Sequence, residues 1–337
     1  MSVINKLEYE VQPGWEQLPA GFVHRDVSDV AVDSHDRVYL ATRSDARVFV
    51  YEQDGTFVTE WGNEIFSSGV HGIEVAPDDT VWVVDQFNHV ARKFTPDGKE
   101  LMSLGNPGVA SDTGFDMEQV KGHYERLEAM KYGGEPFNNP TNLTVAPNGD
   151  IYVTDGYYNA RVHRFSADGT LIRSWGGPGD GPSKFRVPHD AAVDGQGRIL
   201  VCDRENDHIQ LFTADGDYIE TWQSQKPCGI EVHNGLVYVS ETRLDPGTRS
   251  FTRGQITELE WARVSIYNEQ GEALARFGWG ENWPEDAPKP GVITSAHGIA
   301  VDSRGDIYVA ETTYSSVGRK GLVPEDCHTF QKFVLKG

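Results

Sequence analysis

Cysteine, basic clusters and long apolar runs are all scarce in this sequence. Three cysteines among 337 residues (Cys202, Cys228 and Cys327) cannot pair completely, and they imply no disulfide framework. Lysine and arginine number 30 against 51 acidic residues, for a net charge of −21. With no Lys/Arg cluster in view, neither nucleic acid nor an anionic membrane surface is an expected partner. No apolar run approaches the roughly 20 residues that a membrane span needs. The opening MSVINKLEYE lacks the basic and apolar regions of a signal peptide. A cytoplasmic location is expected, and no obligate protein partner is evident.

Glycine and turn chemistry are abundant, with 36 Gly and 17 Pro beside an apolar fraction of 38%. Six stretches are nearly alike: SDVAVD (28–33), HGIEVA (71–76), TNLTVA (141–146), HDAAVD (189–194), CGIEVH (228–233) and HGIAVD (297–302). Each is followed by a polar turn and a second apolar strand: VYLAT, VWVVD, IYVTD, ILVCD, VYVSE and IYVAE. A third strand, a turn such as Asp-Gly, and a fourth strand complete most units, and Asp-Gly between alternating segments marks a hairpin. Four antiparallel strands repeated six times predict an all-β, six-bladed β-propeller forming a single domain over 1–337. The sixth unit lacks a fourth strand, whereas KLEYEV (6–11) alternates and has no unit of its own. It is expected to close the ring in the last blade, because an open ring would leave bare strand edges. Three insertions break the repeat, at 106–139, 242–261 and 280–296, and all are expected on one face as walls around a site. The first contains DMEQVKGHYERLEAM, a candidate short helix.

The first residues of the six stretches run Ser, His, Thr, His, Cys, His. In a six-bladed ring, His71, His189 and His297 come from alternate blades and converge on the central channel. Three imidazoles with coordination positions left open are the pattern of a catalytic metal site. Zinc suits them first, and Fe²⁺ or another divalent ion is also acceptable. Cys228 shares the column and reads as a buried structural thiol; His24, His35, His123 and His328 lie outside it and are assigned no role. Just beyond strand two, Arg43, Tyr157 and Arg204 form a second column. Arginine there can hold a carboxylate or carbonyl, and a tyrosine near a divalent cation can act as a base.

These motifs resemble a known family. The repeats look like NHL repeats, and DGYYNAR (155–161), VPH (187–189) and DREN (203–206) resemble the catalytic core of the peptidyl-α-hydroxyglycine α-amidating lyases. The resemblance runs from Val23 to the last blade. It implies that His71, His189 and His297 match the zinc ligands, Tyr157 the catalytic tyrosine, and Arg43 and Arg204 the two active-site arginines. The implied activity is cleavage of a C–N bond in an α-hydroxyglycine, releasing an amide and glyoxylate. Asn139, Tyr158 and Leu211 stand where the secreted enzymes have cysteines. Ser295 replaces a methionine two residues before the last histidine. Gly298 replaces the aspartate that holds a structural calcium, which counts against that ion, although Asp29 and Asp190 border the same channel. No monooxygenase domain accompanies the repeats. The expected function is therefore a metal-dependent lyase acting on a small α-hydroxy amide or related hydroxylated carboxylate. A metal-dependent hydrolase or lactonase, and a non-catalytic NHL binding module, are the alternatives.

Overall fold

The computed structural model describes residues 7–337. Its apolar alternation resolves into six four-stranded antiparallel sheets, the blades of a six-bladed β-propeller. Blade one is Val27–Val32, Val38–Thr42, Arg47–Tyr51 and Phe57–Trp61, in that order across the sheet. Blades two to five begin with Val70–Val75, Asn142–Val145, Pro188–Val193 and Pro227–His233, and each continues through three further strands in sequence order. Blade six takes Ala296–Val301, Ile307–Glu311 and Phe330–Leu335 from the C-terminal part, and Tyr9–Gln12 adds the fourth strand. The expected closing strand is thus present. It pairs Tyr9 with Leu335 and Val11 with Phe333, and Lys6 of the predicted segment lies outside the described residues.

Two compact units divide the chain, 69–227 with blades two to four, and 1–68 plus 228–337 with blades one, five and six. Within each unit adjacent blades share their cores. Trp82, Val84 and Leu104 of blade two pack with Leu143, Ile151 and Phe165 of blade three. In the other unit Val30, Leu40 and Phe49 pack with Ala300, Tyr308 and Ala310. Such large apolar faces on both sides of a sheet explain why the second strands read as continuous hydrophobic runs.

The hairpins obey their turn residues. Gly55, in the Asp-Gly turn of blade one, has φ +88°, and a Cβ there would fall 1.8 Å from the Trp15 carbonyl oxygen. Only glycine fits both constraints. The first insertion holds a helix, α1 (His123–Ala129), shorter than the stretch that suggested it. The second holds a two-residue ribbon, Arg249–Ser250 against Gly254–Gln255. Among the described residues no helix is long and apolar enough to cross a membrane.

The closing strand is a testable element. Tyr9 stacks on Phe277 with ring centroids 5.2 Å apart, whereas Glu10 faces outward. Tyr9→Ala is expected to lower unfolding free energy by about 2 kcal/mol in denaturant titration, from lost burial and a partial cavity. Glu10→Ala should leave it unchanged.

Candidate functional site

The start of each innermost strand carries an irregularity that decides where its side chain points. In blade four Pro188 pairs with Asp203 and Asp190 with Cys202, so His189 is an extra residue opposite no partner. The same shift falls at Ser28, at His71 and at His297. A bulge of this kind re-aims one side chain out of the ladder's regular alternation.

In blades four and six the backbone just before the bulge is pinned by the acid that ends strand two, and blade three has the same contact ahead of Thr141. Asp203 accepts from the Arg186 N–H at 2.9 Å, Glu311 from the Thr294 and Ser295 N–H groups at 2.6 and 3.1 Å, and Asp155 from the Asn138 N–H at 2.8 Å. These carboxylates are fully buried. They fix the approach to His189, His297 and Thr141 respectively.

In the unit of blades two to four, four of the predicted residues meet. His71 and His189 are buried, and their rings lie edge to face with centroids 4.9 Å apart. His71 Nδ1 donates to the Thr141 carbonyl at 2.7 Å. That bond leaves the neutral ring with its lone pair on Nε2, which accepts from the Tyr157 hydroxyl at 3.0 Å. Arg204 Nη1 donates to the same phenol oxygen at 3.3 Å, and its guanidinium stands 5.2 Å from the Tyr157 ring centroid. In the unit of blades one, five and six, His297 Nδ1 donates to the Ser28 carbonyl at 2.6 Å. Its Nε2 lies 3.3 Å from Arg43 Nη2. The two histidines share one arrangement, a carbonyl behind the ring and a functional side chain at the outer nitrogen.

Three residues beside Tyr157 escaped the sequence reading. Glu205 is buried and accepts from Arg204 Nε at 3.0 Å, with Lys226 Nζ at 3.2 Å from its other oxygen. His123, on α1, stands with its ring 6.0 Å from that of Tyr157 and Nε2 3.9 Å from Glu205. Burial alone would raise the Glu205 carboxyl, but Lys226, His123 and Arg204 hold it well below the usual carboxylate range. Burial would likewise lower Lys226, and Glu205 and Tyr124 hold it above its usual value. The Arg-Glu pair was readable as part of DREN. His123 arrives from an aperiodic insertion, and no sequence signal tied it to Tyr157.

Gly298, where the amidating lyases have an aspartate, has a structural reason here. A Cβ at Gly298 would fall 2.0 Å from Asp29 Oδ1, so the carboxylate of blade one occupies the space. Asp29 is itself tied down, accepting from the Val30 N–H at 2.9 Å.

Comparison with known proteins agrees with this architecture. Residues 137–165 and 185–212, in blades three and four, match the NHL repeat model. The chain carries NHL repeats. Human NHL repeat-containing protein 3 is 31% identical over 65% of this chain and 61% of its own length. Peptidyl-alpha-hydroxyglycine alpha-amidating lyase 1 of Drosophila melanogaster is 28% identical over 75% of this chain and 44% of its own. The match thus spans less than two-thirds of the length of these relatives. A solved streptogramin B lyase shares the fold over 98% of both chains, with a TM-score of 0.57 at 14% identity.

The Glu205 cluster gives a pH-dependent test. Glu205→Gln leaves Arg204 and Lys226 buried without their counter-charge, a loss of about 3 kcal/mol at pH 7. Because the folded carboxyl lies below its unfolded value, this contribution is full above about pH 4 and falls as the pH drops further. Denaturant unfolding of wild type and variant should therefore converge in acid. An equal gap at pH 7 and at pH 3 would refute the charge pairing.

Proposed function

We propose that the chain is a metal-dependent lyase that cleaves the C–N bond of a small α-hydroxy amide or related hydroxylated carboxylate. The observation that carries this reading is the gathering of His71, Tyr157 and Arg204, with the phenol oxygen 3.0 Å from the ring nitrogen and 3.3 Å from the guanidinium. With the lone pair that the hydroxyl now meets given to a metal ion, the phenol would be free for substrate. Similarity to an amidating lyase supports the same assignment.

His71, His189 and His297 are a donor set that could hold one metal ion. The fit rests on their chemistry. In His71 and His297 the Nδ1 proton is committed to a backbone carbonyl, so Nε2 is the ligating atom, as in metal sites whose second hydrogen bond sets ring orientation. Zinc is the proposed ion, and a divalent ion held there would polarise the substrate oxygen as a Lewis acid.

The chain's own residues supply the rest. Arg43 and Arg204 receive the substrate carboxylate, each offering a planar donor edge. The Tyr157 oxygen is the base that takes the hydroxyl proton, and the freed electron pair forms the C=O bond. The C–N pair leaves on nitrogen, which takes that proton back from the Tyr157 hydroxyl, giving an amide and an α-oxo acid and restoring the tyrosine. Arg204, held by Glu205, keeps its charge against the oxygens that change.

Metal content by mass spectrometry is expected to give one divalent ion per chain, lost in His71→Ala, His189→Ala and His297→Ala. Tyr157→Phe should keep the ion while turnover of α-hydroxy amides falls by at least about 100-fold. Release of a free acid and an amine, in place of an amide and an oxo acid, would identify a hydrolase. Loss of metal in Tyr157→Phe would refute the tyrosine's assigned role.

A further inference from the structure

A third arginine lies in the unit of blades one, five and six. After strand two of blade five the chain reads Glu241-Thr242-Arg243, and Arg243 takes the loop position that Tyr157 holds in blade three and Glu205 in blade four. Its side chain is only 5% exposed. The guanidinium lies over Trp283 at 3.8 Å from the ring centroid, and Trp283 packs edge-on against Trp261 at 5.7 Å. The arginine comes from the second insertion and Trp283 from the third.

The donors of this guanidinium are not matched. Asp245 accepts from Nη2 at 3.0 Å. Nε lies 2.9 Å from the other Asp245 oxygen but out of line for a hydrogen bond, and Nη1 is buried with no partner. Burial also depresses the guanidinium's proton affinity, against the opposing pull of Asp245. An unmatched buried donor costs about 1–3 kcal/mol, and such groups are rare unless a ligand, ion or water completes them. Arg47 and Arg161 also leave a buried Nε unmatched, but their side chains are 16% and 24% exposed, against 5% for Arg243.

We propose that Arg243, backed by Trp283, is a receptor for a small carboxylate. A carboxylate is planar, carries two acceptor oxygens, and fits the Nη1 edge of a guanidinium in its plane. The indole face fixes that plane and excludes water from one side, which strengthens the charged hydrogen bonds. The receptor needs no metal and does not depend on the lyase assignment.

Tryptophan fluorescence during titration with glycolate tests the receptor, with Trp283→Phe isolating the signal of that ring. A saturable change is expected in wild type and in protein stripped of metal. It should vanish in Trp283→Phe, and Arg243→Met should weaken binding by at least about tenfold, the loss expected for one charged hydrogen bond. Arg243→Lys keeps a charge without the planar edge and should also bind more weakly, which covers the case of a Met variant that fails to fold. Absence of a saturable signal, or a signal that survives Arg243→Lys unchanged, would overturn the receptor. An equal response to chloride would do the same, since it reports charge screening alone. Tyr157→Phe is expected to bind glycolate normally, so this outcome separates from failure of the proposed catalysis.

Discussion

One extra residue at the head of the innermost strand governs this protein. In four of the six blades the strand-one pairing skips a residue, and in three of those the skipped residue is histidine. A bulge costs a ladder position, and in blades four and six an acid at the end of strand two receives the loose backbone N–H groups upstream. Asp203 and Glu311 do this two and three residues before His189 and His297. A buried carboxylate satisfied by backbone amides is rigid, and so is the side chain whose approach it fixes. The placing of these histidines is thus a property of the β-framework more than of the loops.

Charge behaves differently on the loop side of the same blades. There Arg204, Glu205 and Lys226 form a buried ionic group in which two cations flank one acid. Such groups add little net stability against an apolar alternative, since desolvation offsets attraction. Their value is positional. Glu205 takes the Nε side of Arg204 and leaves Nη1 turned to Tyr157. Helix α1 then brings His123 against the same pair. The first of the three insertions therefore packs against Tyr157 and Glu205 through His123.

The sequence conveyed the blades well because their information is local. Period-two apolarity, Asp-Gly turns and the repeated valine place strands to within a residue or two. The histidine column was legible for the same reason. The bulge was not, because VHGIEV and PHDAAV read as ordinary alternating strands whether or not one residue is skipped. Nor was His123, which depends on where an aperiodic segment folds back. Gly298 was visible as a departure from the amidating-lyase pattern, but its cause is a neighbouring strand's Asp29 filling the space. Contacts between distant positions leave no period to read.

The alternation itself has a physical account. His71 donates its Nδ1 proton to the carbonyl of Thr141, the first residue of the next stretch, and His297 donates to that of Ser28. A histidine in one blade therefore needs an open carbonyl from the blade beside it. That carbonyl is reachable when the neighbouring first residue is small and ties its own side chain to backbone. Ser28 Oγ donates to the Ala41 carbonyl, and Thr141 Oγ1 donates to that of Pro188. A second imidazole at either place would compete for the channel that the first one enters. In these two neighbouring pairs a histidine and a small hydroxyl residue therefore work together, one supplying the nitrogen and the other setting which nitrogen it is.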